Sequence, residues 1–166
     1  MGLLSFVKEA GEKLFGGGKA EAAPAPSAAT PAADLAQLNK TAGDAIAAYI
    51  VSMKLPVEQL GVQFDGANGT VTVSGQTPDQ ATKEKVLLCC GNVQSVAAVN
   101  DMLTVAQPEP EAQYYTVVKG DTLSKVSKQY YGDPNQYMKI FDANKPMLSH
   151  PDKIYPGQVL RVPPKA

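Results

Sequence analysis

The 166-residue sequence has one histidine, His150, and two cysteines, Cys89 and Cys90, so most constellations of metal-site and nucleophilic chemistry cannot be built from it. His150 lies between Ser149 and Pro151, a setting typical of a turn, and the sequence identifies no partner for it. The acidic residues are scattered over predicted turns and helix faces, among them Glu84, Asp133, Asp142 and Asp152. No general acid, base or nucleophile stands in a motif, so we expect a protein that is not an enzyme.

The two cysteines are sequence neighbours. A disulfide between adjacent residues would be strained and would close almost no loop, so it would add little stability. We predict two reduced, buried thiols in a helix, where unpaired cysteine behaves as a small hydrophobe. A redox pair is the alternative interpretation. Reduced thiols favour a reducing compartment.

Charge and hydropathy argue against several classes of partner. The 15 Lys and Arg residues nearly balance the 16 Asp and Glu residues. The sequence has no block of like charge that would indicate electrostatic binding to nucleic acid or anionic lipid. Charged residues interrupt residues 1–15, which do not resemble a secretory signal. No run approaches the roughly 18 apolar residues of a membrane span. We therefore expect a cytoplasmic protein.

The first of four segments comprises residues 1–18. Within residues 1–15, charged side chains occupy one side at helical spacing, and the other side carries Leu3, Phe6, Val7, Ala10 and Leu14. This predicts an amphipathic helix that docks on the rest of the protein; lying on a membrane surface is the alternative. Residues 19–33 are rich in Ala, Pro and Ser and predict a flexible linker.

Residues 34–106 predict an αββαβ domain with two helices on one face of a sheet. Asp34 is the expected cap of the first helix, whose apolar face includes Leu35, Leu38, Ile46, Tyr49, Ile50 and Met53. Alternation at residues 62–64 and 71–73 around a turn predicts a β-hairpin. Thr77 as cap, with Pro78 and Gln80, predicts a second helix that ends near Cys90, and a last strand covers residues 99–105.

Residues 107–112 contain two prolines and predict a semi-rigid linker to a second domain. Residues 113–164 predict a βααβ order, so that the whole chain is α+β. Asp121 is the expected cap of the first helix there. The buried positions of the two helices are predicted to be Leu123, Val126 and Tyr130, then Tyr137, Ile140 and Phe141. The final strand covers residues 159–162.

Several motifs resemble known families. YTVVKGDTLSKVSKQYYG, IFDANK and IYPGQVLRVP make residues 114–163 similar to the LysM family, and TVTVSG with GNVQSVAAVNDML makes the preceding domain similar to BON domains. Together with MGLLSFVKEAGEKLF at the start and NKPMLSHPDKIYPGQVLR near the end, the chain resembles a family of bacterial cytoplasmic potassium-binding proteins over nearly its whole length. The low-complexity stretch at residues 19–33 is a departure, because its length and composition are not expected to be preserved in the family.

The resemblance implies a soluble protein that binds K⁺ selectively, changes conformation on doing so and helps the cell under osmotic or potassium stress. We expect a monomer, with the LysM domain as a possible surface for a protein partner. Proteins select K⁺ by replacing its water shell with neutral oxygens, usually backbone carbonyls, whereas carboxylates favour divalent ions. A K⁺ site therefore needs no acidic cluster.

Free carbonyl groups converge where a helix ends, at the negative end of its dipole. One such place is the end of the helix near Cys90. We hypothesise that residues 1–15 fold over the BON domain and that five backbone carbonyls bind the ion: those of Val7, Ala10, Gly91, Val93 and Val96. The alternative is plain helix capping at Gly91 and Asn92, with simple hydrophobic docking of the N-terminal stripe.

Two other functions compete with K⁺ binding. LysM modules hold N-acetylglucosamine chains, and the corresponding groove here would involve Gly120, Asp121, Thr122, Leu123, Asn144 and Ile154. The absence of a signal sequence argues against this peptidoglycan-binding role. Asp121 and Thr122 also have a structural role as helix cap and turn. Alternatively, the amphipathic segment would anchor a membrane-associated scaffold, since BON domains are often linked to envelope phospholipids.

Overall fold

A computed structural model describes residues 3–5, 32–93 and 95–165 of the chain. The elements, in chain order, are β1 (Leu3–Ser5), α1 (Ala32–Ser52), β2 (Glu58–Asp65), β3 (Thr70–Asp79), α2 (Gln80–Gly91), β4 (Ala98–Gln107), β5 (Gln113–Thr116), α3 (Leu123–Tyr131), a 3-10 turn (Pro134–Gln136), α4 (Tyr137–Ala143) and β6 (Val159–Val162). The elements β1 to β4 form the first domain, and β5 to β6 form the second.

The first domain is a four-stranded sheet in the order β1-β4-β3-β2. The β2–β3 hairpin is antiparallel, with Phe64 opposite Val71, as the sequence predicts. Strands β3 and β4 run parallel, with Val71 opposite Val99, so the chain must cross over between them, and α2 makes that crossover. Both helices pack against the sheet and against each other, which places them on one face.

The core of the first domain lies between these layers. Inward positions of the strands alternate as expected for a sheet with one buried face, and Val71, Val73 and Val99 are fully buried. From α1, Ile46 and Ile50 enter the core as predicted, whereas Leu38 is 37% exposed. Burial of these side chains holds α1 on the sheet, and the fully buried Val86 and Leu88 hold α2 there in the same way.

The second domain has a two-stranded antiparallel sheet, β5 with β6, covered by α3 and α4. Its core is built from few residues, with Val126, Ile140 and Leu160 at 1% exposure or less. On α3 the buried tyrosine is Tyr131 rather than the expected Tyr130, which is half-buried and stacks edge-on against Tyr115. The predicted βααβ order is confirmed.

The N-terminal helix prediction is wrong for Leu3–Ser5, which form a strand. This strand, β1, pairs antiparallel with β4, and Leu4 lies opposite Val99. A short isolated helix is only marginally stable in water, whereas the backbone of β1 pairs with an edge of a preformed sheet, so the sheet overrides the helical spacing. Phe6, Val7, Ala10, Leu14 and the linker at residues 19–31 lie outside the described residues.

Three predicted helix caps are also wrong. Asp34 lies inside α1, which begins at Ala32. Helix α2 is capped by Asp79, whose carboxylate accepts from the Thr82 N–H at 2.6 Å, because β3 continues through Thr77 and Pro78. The Thr77 hydroxyl instead contacts the carbonyl groups of Asp79 and Thr104.

The third cap concerns α3 in the second domain. Thr122 is the cap, and its hydroxyl oxygen accepts from the Lys125 N–H at 3.2 Å. Asp121 serves the turn before the helix, where its carboxylate accepts from Tyr115 and from the Val118 N–H. At each of these helix starts, neighbouring polar residues could all act as the N-cap. The path of the backbone into the helix decides which of them does.

Cys89 and Cys90 are both free and both buried on α2, which confirms two reduced thiols in a helix. Burial raises the pKa of Cys89 to about 12 and that of Cys90 well above its ordinary value, because the charged thiolate loses its solvation. Neither group therefore has the character of a reactive cysteine at neutral pH.

We expect both thiols to resist a disulfide reagent at pH 8 in the native protein and to react rapidly in 6 M guanidinium. The folded protein binds the Cys89 thiol proton more tightly than the unfolded chain does, and this difference contributes to the free energy of unfolding. The contribution is complete below the ordinary pKa of 9.0 and is lost as the pH rises toward about 12. Stopped-flow absorbance with Ellman's reagent gives the rates. Equal rates in native and unfolded protein would contradict the burial.

Candidate functional site

The loop that follows α2 is the first component of the candidate site; we call residues 91–96 the α2–β4 loop. Asn92 caps the helix, with its N–H donating to Leu88 and Cys90 carbonyl groups. Val93 N–H then bonds to the Cys90 carbonyl at 3.3 Å, and Val96 N–H to the Val93 carbonyl at 3.2 Å. These bonds fold the loop into consecutive turns. The carbonyl groups of successive loop residues therefore do not all point along the axis of α2, as those of helical residues do.

Gly91, Val93 and Val96, three of the five residues predicted to bind the ion, lie together in this loop and are buried. Within the described residues, no hydrogen-bond donor reaches the carbonyl oxygens of Gly91 and Val96, whereas the Val93 carbonyl accepts one bond. Gly91 is the last residue of α2, so its carbonyl group lies at the negative end of the helix dipole. Neutral backbone oxygens of this kind are ligands that a large monovalent cation accepts.

The β2–β3 turn supports the loop from one side. The Gly69 carbonyl accepts from the N–H groups of Ala97 at 2.7 Å and Ala98 at 3.3 Å. A Cβ atom on Gly69 would lie only 2.7 Å from the Ser95 carbonyl oxygen, and Gly69 itself has a φ of +66°. Ser95 also has a positive φ, at 72°. Close packing on this turn holds the loop in a backbone path that a non-glycine residue seldom adopts.

Strand β1 ends beside the same loop. In its antiparallel register Ser5 lies opposite Ala98, so the chain runs out of β1 in the direction of the loop. Val7 and Ala10, the other two predicted ligands, lie outside the described residues. The described part of the site is thus the α2–β4 loop, the β2–β3 turn and the end of β1.

The side chain of Asn92 connects this loop to the second domain. Its Nδ2 donates to the Val159 carbonyl at 3.1 Å, and its Oδ1 accepts from the Val159 N–H at 3.1 Å. We call this pair of bonds the Asn92 contact. The Val159 side chain packs into the core of the first domain, although Val159 belongs to β6. A cavity of about 10 Å³, room for about one water molecule, lies beside the contact.

A buried charge lies in the same interface. Glu84 on α2 is 1% exposed, and its carboxylate accepts from the Gln80 side chain at 3.0 Å, from the Ala112 N–H at 2.8 Å and from the Arg161 guanidinium. Arg161, on β6, is 8% exposed. The buried carboxylate is thus surrounded by donors from α2, from the connection between the domains and from β6.

The predicted glycan residues divide into two groups. Gly120 and Thr122 are exposed, Asp121 and Ile154 are half-buried, and the Asp121 hydrogen bond raises the pKa of Tyr115 to about 12. Leu123 and Asn144 are buried at 2% exposure. Leu123 belongs to the core, and Asn144 bonds both backbone groups of Arg161. Leu123 and Asn144 therefore stabilise the interior of the second domain.

Side-chain chemistry elsewhere is sparse. In the part of the chain that the structure describes, no group of three or more His, Cys, Asp or Glu residues could hold a metal ion. His150 is exposed, and its Nδ1 accepts from the Asp152 N–H at 3.1 Å. Among the described helices, none is long and apolar enough to cross a membrane.

Sequence reasoning missed Glu84, Arg161 and the side chain of Asn92. In the sequence Glu84 is one of several scattered acids, although it stands four residues before the buried Leu88 and so shares its helix face. The sequence predicts only a capping role for Asn92. The spacing could have placed Glu84 on the buried face, but nothing in the sequence pairs either residue with β6.

Comparisons with known proteins agree with this architecture. The BON domain model matches residues 43–107, and the LysM domain model matches residues 115–163, which confirms the predicted order of the two domains. Neither is an enzyme family. The chain is 45% identical over 166 residues to the potassium binding protein Kbp of Escherichia coli O6:H1 (strain CFT073), and the alignment covers 98% of this chain and 99% of that protein.

Two further similarities each span 30% of the chain. One is to an uncharacterized protein of Deinococcus radiodurans, 53% identical over 49 residues that make up 19% of that protein. The other is to the uncharacterized protein YqbP of Bacillus subtilis (strain 168), 38% identical over 58 residues that make up 26% of it.

The Glu84–Arg161 pair yields a stability prediction. Arg161→Met leaves the Glu84 charge buried without its cationic partner, which should cost about 3–5 kcal/mol of unfolding free energy. Lys145→Met is the matched control, because the Lys145–Asp142 pair is half-exposed and should contribute less than about 1 kcal/mol. Urea denaturation followed by circular dichroism measures both. Equal losses in the two variants would contradict the assigned role of the buried pair.

Proposed function

The chain belongs to the family of the potassium binding protein Kbp, and we propose on that basis that it binds K⁺ and changes conformation when it does so. Identity of 45% across essentially the whole length of both proteins is the observation that carries the proposal. The described part of the candidate site also supports it, because Gly91, Val93 and Val96, whose backbone carbonyls are neutral oxygens, lie buried in one loop at the end of α2.

The proposed ligands are backbone oxygens. Gly91, Val93 and Val96 supply carbonyl groups from the α2–β4 loop, and Val7 and Ala10 supply the remainder from the N-terminal segment. Support for the second part comes from the register of β1. Ser5 lies opposite Ala98, Val7 follows Ser5 by two residues, and Val96 precedes Ala98 by two. Continuing antiparallel, the chain would bring the segment to the loop.

The proposed mechanism is a population shift. K⁺ binds the arrangement in which the N-terminal segment, the loop and the second domain are in contact, and so increases its population over a looser ion-free form. In this proposal the protein works in the cytoplasm as a K⁺ sensor under osmotic or potassium stress, as its resemblance to the family implies. The bound cation is its ligand rather than a catalytic cofactor.

The first test is thermal. A ligand that binds only the folded state stabilises it by about 2.7 kcal/mol when present at 100 times its dissociation constant. We expect a higher melting temperature in KCl than in NaCl of the same ionic strength. Differential scanning calorimetry in both salts provides the measurement. Equal melting temperatures over a wide range of salt concentration would overturn the K⁺ proposal.

The second test concerns the N-terminal segment. Deleting residues 6–15 keeps β1 but removes Val7 and Ala10, so K⁺ affinity measured by isothermal titration calorimetry should fall at least about tenfold. Deleting residues 19–28 shortens the chain by the same ten residues within the Ala- and Pro-rich stretch and should leave the affinity unchanged. If both deletions bind K⁺ like the intact chain, the segment supplies no ligand.

A further inference from the structure

Strand β6 has an outer edge that no other strand covers in the part of the chain that the structure describes. Its partner in the two-stranded sheet is β5, with Leu160 opposite Tyr115. Along an antiparallel ladder, hydrogen-bonded and non-hydrogen-bonded pairs alternate, so residues two apart turn their backbone groups to the same edge. Val159 and Arg161 are such residues, and their N–H and C=O groups face away from β5. An uncovered edge of this kind needs other hydrogen-bond partners.

Two asparagine side chains supply those partners. Asn144 bonds both backbone groups of Arg161, at 2.8 Å each. Asn92 bonds both backbone groups of Val159, at 3.1 Å each. The two contacts have the same chemistry and lie two residues apart on one strand. They differ in origin, because Asn144 belongs to the second domain itself and Asn92 belongs to the first.

Asn92 is also part of the α2–β4 loop. Its backbone N–H caps α2, and the residues on either side of it, Gly91 and Val93, are two of the proposed K⁺ ligands. The side chain is 5% exposed and has both of its polar atoms engaged by β6. A rotation of the loop backbone that moved the Gly91 or Val93 carbonyl would therefore also move the Asn92 amide away from Val159.

We propose that Asn92 is a positioning residue that couples K⁺ binding at the α2–β4 loop to docking of the LysM domain through its two bonds to Val159. This inference rests on the proposed function. Docking of β6 fixes the Asn92 amide and thereby the loop carbonyls. An ion in the loop fixes the same backbone and holds the amide in place for β6. By linkage, each event strengthens the other by the same factor.

The test compares Asn92→Ala with Asn144→Ala in the full chain. Both substitutions remove one asparagine side chain from the outer edge of β6 and leave two backbone groups without their partner. We expect Asn92→Ala to weaken K⁺ binding about tenfold in isothermal titration calorimetry, within the usual range of coupling between sites. We expect Asn144→Ala to lower the melting temperature in the absence of K⁺ and to change K⁺ affinity less than about twofold.

Small-angle X-ray scattering gives the second readout. In wild type and Asn144→Ala, K⁺ should reduce the radius of gyration relative to Na⁺, whereas in Asn92→Ala the two salts should give similar values. Should Asn144→Ala fail to fold, Tyr131→Phe replaces it as the control, because the Tyr131 hydroxyl donates to the Pro163 carbonyl within the second domain.

A variant on the other side of the contact tests whether Asn92 acts through β6. Val159→Pro removes the N–H that bonds Asn92 without changing the loop, and proline is tolerated on a strand edge whose N–H is not used by the sheet. It should weaken K⁺ binding as Asn92→Ala does. Val159→Pro keeps the carbonyl that accepts from Asn92 and also removes the Val159 side chain from the core of the first domain. The double variant should lose less affinity than the sum of the two single losses, because both variants act on the bond between the Val159 N–H and Asn92.

The outcomes separate the two proposals. A wild-type chain that binds no K⁺ overturns the proposed function and, with it, the role of Asn92 in ion binding. A wild-type chain that binds K⁺, with Asn92→Ala binding equally well, leaves the function standing and overturns the coupling. The coupling is also overturned if Asn144→Ala weakens K⁺ binding as much as Asn92→Ala, or if the double variant shows fully additive losses.

Discussion

The buried carboxylate of Glu84 determines how the two domains are placed. A charge with 1% exposure must be surrounded by donors, since an isolated ion in the interior is far less stable than one in water. Gln80, the Ala112 N–H and Arg161 supply them from α2, from the interdomain connection and from β6. Gln80 lies on the same helix as Glu84, so Ala112 and Arg161 are the two donors that require the interdomain connection and β6 to lie against α2. That arrangement also brings the Val159 backbone within reach of Asn92.

Helix α2 connects the domain interface to the α2–β4 loop. Its first half carries Gln80 and Glu84 at the interface, and its last residues open into the α2–β4 loop. The apolar side between them is buried against β3 and β4. A helix packed in this way moves as a unit, so the polar interface and the carbonyls of the loop cannot shift independently. The Cys89 and Cys90 thiols belong to this buried surface and fill space rather than perform chemistry.

Much of the fold is predictable from the sequence, whereas the interface is not. The β2–β3 hairpin, the end of α2 and the βααβ order follow from local periodicity and turn residues. The missed features depend on what a residue meets after folding: β1 is a strand because β4 lies beside it, and Asp79 rather than Thr77 caps α2 because β3 runs on. For the candidate site, helix ends predicted the loop at Gly91, Val93 and Val96, but no local pattern could pair Asn92 with a strand in another domain.

The pairing of β1 with β4 has a consequence for synthesis on the ribosome. Leu4 is made well before its partner Val99, which emerges only after α1, the hairpin and α2 are complete. Bringing the ends of so long a loop together is entropically costly, and contacts of this separation form late in folding. The sheet of the first domain must therefore be assembled from β2 to β4 before its outermost strand can join. The strand of this sheet that is translated first is thus the last of its strands to pair.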